Sequence, residues 1–124
     1  MSGLERVVIG SRTRRQDAPP WVIFEALTEP NRDPARQWLE LLDDEIAPRV
    51  LDAVPTGHVM WSSLWVKRPD ATVRFEIAHQ FEGPGTDLGW TVSVDAPPPD
   101  ALVGHIRKRM NQLINANLRY SFGQ

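Results

Sequence analysis

Cysteine is absent from this chain of 124 residues. That excludes disulfides, thiolate metal sites, redox pairs and a cysteine nucleophile. No run approaches the roughly 20 consecutive apolar residues that a membrane-spanning helix needs. The opening Met1-Ser2-Gly3-Leu4-Glu5-Arg6 also lacks the apolar core of a secretion signal. Charge of one sign is missing as well. The formal net charge is -2, so no global field gathers nucleic acid or an anionic membrane. Lysine is scarce, two against twelve arginines, which is the usage of a GC-rich genome. His58, His79 and His105 have no metal-ligand spacing and no carboxylate cluster completes a site. A Gly-rich phosphate loop and a nucleophile elbow are lacking too. Neither a metal nor a cofactor is expected. The expectation is one cytoplasmic domain over residues 1–124, monomeric by default, with no nucleic-acid partner and no stable membrane insertion.

What is present is a set of short strands followed by one long helix. Val7, Val8 and Ile9 open a first strand over residues 4–15 that turns polar and basic at Arg12, Arg14 and Arg15. Asp17 and Ala18-Pro19-Pro20-Trp21 then start a helix, because proline costs no hydrogen bond in a first turn and an acid suits the positive helix end. That helix should stop before Pro30, and Asp33-Pro34 repeats the start signal. Residues 37–46 fit a helical period through Trp38, Leu41, Leu42 and Ile46, and fit a short strand ending at Asp43-Asp44 equally well. Strand is preferred, because a meander follows. Its strands are expected at 49–54, 58–66, 72–81 and 86–95, with loops of hairpin length between them. Val73, Phe75, Ile77, His79 and Phe81 share one face of their strand, and Leu88, Trp90, Val92 and Val94 share one face of the next. One greasy and one wet face is the pattern of an antiparallel sheet covered on one side.

From Pro97-Pro98-Pro99-Asp100 to Gly123 the chain reads as one amphipathic helix. Leu102, Val103, Ile106, Met110, Leu113, Ile114 and Leu118 form its apolar stripe, and Arg107, Lys108, Asn111, Gln112, Asn115 and Arg119 fall largely opposite. Such a stripe must lie against a sheet. The fold class is therefore α+β, a curved antiparallel sheet of about six strands wrapped around a long C-terminal helix, with short helices after the first strand.

Three features carry a resemblance: Ala18-Pro19-Pro20-Trp21-Val22-Ile23-Phe24 directly after the first strand, the Trp90-Thr91-Val92 strand, and the terminal helix ending Leu118-Arg119-Tyr120. With the element order, they resemble the START/Bet v1-like helix-grip superfamily (the SRPBCC group of polyketide cyclases and lipid-transfer domains), as a short member of actinobacterial type. The resemblance implies a hydrophobic cavity between the concave sheet face and the long helix.

Residues that break the apolar pattern, or would wall such a cavity, are the candidates. His79, in phase with Phe75 and Ile77, should point inward, where burial would keep the imidazole neutral and able to act as a base or bind a carbonyl. The plain alternative is a strand-end histidine satisfied by backbone or water. Trp61, Ser63 and Trp65 share a face and could line a flat aromatic site, or be ordinary sheet packing. Trp90, Met110 and Leu113 complete the expected wall, and Asn117 lies on the helix stripe near its end. Asp52 and the run Asp43-Asp44-Glu45 read as solvated carboxylates, and Arg12, Arg14, Arg15, Arg107, Lys108 and Arg109 as a solvated basic face. Binding of a small hydrophobic or aromatic molecule is the leading expectation, with no catalytic residue assigned. The alternatives are a cyclase/dehydratase-type enzyme using His79, and a protein-interaction module similar to the Hsp90-activator branch.

Overall fold

The computed structural model of the chain describes residues 6–30, 38–79, 83 and 85–119. Strand β1 (Val7–Gln16) leads into helix α1 (Pro20–Thr28). Strands β2 (Val50–Val54), β3 (His58–Ser62), β4 (Thr72–His79) and β5 (Thr86–Val94) follow, and then helix α2 (Asp100–Gln112). α2 continues directly into a π-helical stretch, Leu113–Leu118.

Helix α1 begins with proline in its first turn, and it ends where the Glu29 N–H bonds the Glu25 carbonyl, just before Pro30. Helix α2 carries Asp100 in its first turn and Arg109 in its last, each at the dipole end that favours its charge. The second helix start expected at Asp33-Pro34, and the helix stop expected at Tyr120 to Gly123, lie outside the described residues.

The sheet is antiparallel throughout, in the order β1-β5-β4-β3-β2. It has five strands among the described residues, where about six were expected. The difference lies at residues 38–46, which contribute only an isolated bridge between Glu45 and Trp65. This segment spends its hydrogen bonds locally. The Glu45 N–H bonds the Leu42 carbonyl, and the Glu45 carboxylate takes the Leu42 N–H at 2.9 Å. A residue closed on its own turn cannot also extend a ladder.

Register shows which residues share the inner face. One row runs Gly10, Val92, Val73, Trp61 and Val50, and the next runs Arg12, Trp90, Phe75, Val59 and Ala53. The third row is Arg14, Leu88 and Ile77, and the fourth is Gln16, Thr86 and His79. Against these rows lie Ile106, Met110, Leu113, Ile114 and Leu118 of the C-terminal helix and Ile23 and Leu27 of α1, all fully buried. Each such side chain contributes about 1.5–3 kcal/mol to folding. At the far end of β5 a polar clamp ties loop to strand. Arg6 bonds the Asp95 carboxylate at 2.6 Å and the Asp70 and Ser93 carbonyls, while Arg68 grips Asp70 with two hydrogen bonds of 2.9 and 2.8 Å. Those bonds from Arg68 hold the Asp70 carboxyl far below the usual carboxylate range.

Candidate functional site

The inner face is built on an aromatic column. Trp61 meets Phe75 edge to face, with ring centres 4.7 Å apart, and Trp38 stacks on Trp61 at 6.0 Å. The Trp61 indole N–H is committed to the Leu27 carbonyl at 2.8 Å, so this ring also fastens the end of α1 to the sheet. Trp61, Phe75, Trp90, Met110 and Leu113 are all buried in one core. Ser63 and Trp65 are buried too, but lie beyond the end of β3. The Ser63 hydroxyl accepts from the Trp65 N–H at 2.9 Å and donates to the Trp65 carbonyl at 3.2 Å, which makes it the pin of a local turn.

His79 and Asn117 differ from the other candidates. His79 has the expected phase, on the inner row with Thr86 and Gln16, yet its side chain is exposed. It occupies the last described position of β4. The burial expected for this side chain is therefore missing. Thr86, its neighbour across the ladder, gives its hydroxyl hydrogen to the Ala18 carbonyl at 2.8 Å. Asn117 is half-buried in the π-helical stretch, while its neighbour Leu118 takes the core position.

Several residues of this region escaped the sequence reading. The foremost is a buried ion pair. Arg109 donates to both oxygens of Glu45, at 2.8 and 2.7 Å, to the Glu40 carbonyl at 2.8 Å and to Gln112 at 3.0 Å. Both side chains are nearly inaccessible, at 8% and 0% exposure. Burial works against the charge on Glu45 most strongly. The hydrogen bonds from Arg109 and the Leu42 N–H, with the nearby positive charge, outweigh it and lower its pKa. The pair straps residues 38–46 across α2, and so holds Trp38 against Trp61. Neither the solvated acidic run nor the solvated basic face expected for these two residues survives. A signal was available for Arg109, since it falls three after Ile106 and four before Leu113, on the apolar stripe.

Several buried polar side-chain atoms of the described residues have no protein partner. The indole N–H groups of Trp38, Trp65 and Trp90 are buried and unbonded, as are the side-chain oxygens of Gln16 and Asn115. Gln16 reaches the Ile114 carbonyl with its amide nitrogen at 3.5 Å. That carbonyl belongs to the π-helical stretch, where the ordinary helical pairing is interrupted. Among the described residues, no group of three or more His, Asp or Glu could hold a metal ion, and no helix is long and apolar enough to cross a membrane.

Solved structures share this arrangement. CalU16 from Micromonospora echinospora aligns at 20% identity over 91% of this chain and 80% of that chain, with a TM-score of 0.62. The Aha1 dimer structure from Colwellia psychrerythraea aligns at 15% identity over 88% and 91%, with a TM-score of 0.63. Ara h 8.0201 aligns at 11% identity over 97% and 100%, with a TM-score of 0.54. No protein-family model and no curated protein sequence matches the chain. At these identities the likeness is one of architecture: the chain has the START/Bet v1-like helix-grip fold.

Proposed function

We propose that this protein binds a small hydrophobic or aromatic molecule between the inner sheet face and the C-terminal helix. The observation that carries this reading is that buried polar side-chain atoms without a protein partner occur on the inner sheet face and the C-terminal helix, among them the Trp90 indole N–H and the side-chain oxygens of Gln16 and Asn115. Leaving such a group unbonded costs about 1–3 kcal/mol each, so groups of this kind amid apolar walls suit a ligand that brings its own polar atoms. Trp61, Phe75, Trp90, Met110 and Leu113 are the apolar wall of this reading. Native mass spectrometry of freshly purified protein should show a bound small molecule. Added fatty acids, polyketides or aromatic compounds should raise Tm, by the equivalent of about 2.7 kcal/mol at a hundredfold excess over Kd. A bare protein mass together with an unmoved Tm for every class would refute the proposal.

A second reading, a protein-interaction module, is favoured by a different observation. Leu42 and Ile46 in the strap, Val50, Leu51 and Val54 on edge strand β2, and Val66 are all large, apolar and exposed. Exposed apolar groups of this kind can mark a partner site. Charged substitutions at Leu51 and Val54 should abolish partner binding and leave small-molecule binding intact if this reading holds. The enzyme reading has less support, since it needed a buried His79 and His79 is exposed.

A further inference from the structure

Arg12 and Arg14 lie on the inner face of the sheet, yet both are exposed. Register establishes the face. Arg12 stands opposite Trp90 and Arg14 opposite Leu88, and both of those partners are buried in the core. Directly opposed residues of an antiparallel pair point the same way. Packing agrees on either side. A Cβ at Gly10 would come within 2.7 Å of the Arg107 stem and 3.3 Å of the Trp90 ring, so that position faces both helix and core. Gln16, at the other end of the series, bonds the helix carbonyl of Ile114. Inner-face side chains that stay exposed mark an edge of the cover, here between the buried Gly10 and Gln16 along the seam of β1 and the C-terminal helix, and this edge is the mouth of the proposed site.

The charge at that mouth has one sign. Arg12 gives one N–H to Asn111 at 3.2 Å and uses none of its other four donors among the described residues. Arg14 has no hydrogen-bond or ion-pair partner among the described residues. The acids of this corner belong to the outer face with Arg15: Asp17 pairs with it at 3.6 Å, and Asp87 stands opposite it in the ladder. On the same inner face, Trp90 opposite Arg12 has an unbonded indole N–H, and Gln16, two residues beyond Arg14, has an unbonded side-chain oxygen.

We propose that the ligand of this site is an amphipathic carboxylate, its apolar body against Trp90 and Leu88 and its carboxylate held at the mouth by Arg12 and Arg14. This inference rests on the small-molecule reading above and narrows it to an anion. Guanidinium groups two residues apart on one strand face stand about 7 Å apart at their roots. They are long and flexible enough to converge on a carboxylate, which they bind through paired N–H donors. A neutral alcohol or amide oxygen can accept from one guanidinium, but it brings neither the charge nor the paired oxygens that strengthen the carboxylate's bonds.

The test is isothermal titration calorimetry of the full chain at low ionic strength with two matched pairs of probes: decanoate against decanamide, and 2-naphthoate against 2-naphthamide. At least one acid should bind tenfold or more tightly than its amide, with the preference shrinking as salt is added. The double variant Arg12→Gln/Arg14→Gln should lose the preference while still binding the amide as the parent does, with an unchanged near-ultraviolet circular dichroism spectrum showing that the fold is intact. Equal binding of acid and amide by the parent protein overturns the anion inference and leaves the hydrophobic site standing. A preference that persists in the double variant overturns the role of the two arginines. Binding of neither member of either pair refutes the carboxylate and counts against the small-molecule reading as well.

Discussion

At one end of the inner face, Gly10, Val92, Val73 and Trp61 cross four strands under complete cover, with Trp38 stacked on the last of them and only Val50, on edge strand β2, exposed. At the other end each row is sealed except at one end, since Ile77 and Gln16 are buried as well. Leu88 and Thr86 are fully buried, while their row neighbours Arg14 and His79 are exposed. The strands alternate in the same way at both ends, so alternation is not what differs. The covered end has a strap, residues 38–46, pulled down onto α2 by Arg109 and Glu45. The open end has the π-helical stretch alongside it, with unbonded polar atoms beneath. Which face a residue takes follows from its strand. Whether that face is wet follows from what happens to lie over it.

The strongest way to break the contrast is to release the strap. Arg109→Met leaves the Glu45 carboxylate buried without a partner, which should cost about 3–5 kcal/mol and lower Tm by roughly 10 °C or more. Thermal and urea unfolding would measure both. Glu45→Leu combined with Arg109→Met should recover most of that loss, because the uncompensated charge is then gone. A single variant as stable as the parent would show that the strap does not depend on the pair.

Acid should loosen the same end by a smaller amount. Glu45 and Asp70 both ionise more easily in the folded protein than at their ordinary values of 4.5 and 3.8. The folded state therefore binds fewer protons than the unfolded chain as these groups titrate. Their stabilisation is fully present above about pH 4.5 and is lost as pH falls through the depressed folded values. A Tm profile from pH 7 to pH 3 should fall below that point, and more shallowly in Glu45→Gln, which has no charge there to lose.

The smallest effect belongs to the open end. His79→Ala should change stability by no more than about 0.5 kcal/mol, as at other exposed positions. A loss of several kcal/mol in unfolding measurements would mean that the end is covered in solution.

Much of this was legible in the residue order. The period-two alternation of residues 72–79 and 86–94 correctly gave faces to Phe75, Ile77, Leu88 and Trp90, and the stripe from Leu102 to Leu118 marked the covering helix. Ala18-Pro19-Pro20 placed the start of α1. Residues 37–46 suit a strand because a meander follows them, but apolar residues there suit any buried segment, and periodicity over so few positions does not distinguish a ladder from the strap that residues 38–46 form. Arg109 and Glu45 were read as solvated because each sits within a charged run, and charge runs are ordinarily wet. Their neighbours remain exposed, and these two differ only because each meets the other. His79 has its expected phase and lacks its expected burial, since phase is local and cover is not.

The sequence by itself determined the local geometry: where strands and helices form, and which side of each is apolar. Those choices rest on backbone conformation and on the spacing of side chains within about ten residues. Only the tertiary structure decided that Arg109 is buried while Arg14 is exposed on the inner face, and that the covered end and the mouth fall where they do. The reason is that burial and charge pairing are properties of residues far apart in the chain. Glu45 and Arg109 are 64 positions apart, and Gln16 and Ile114 are 98. No local pattern encodes a contact whose two halves are specified in different elements.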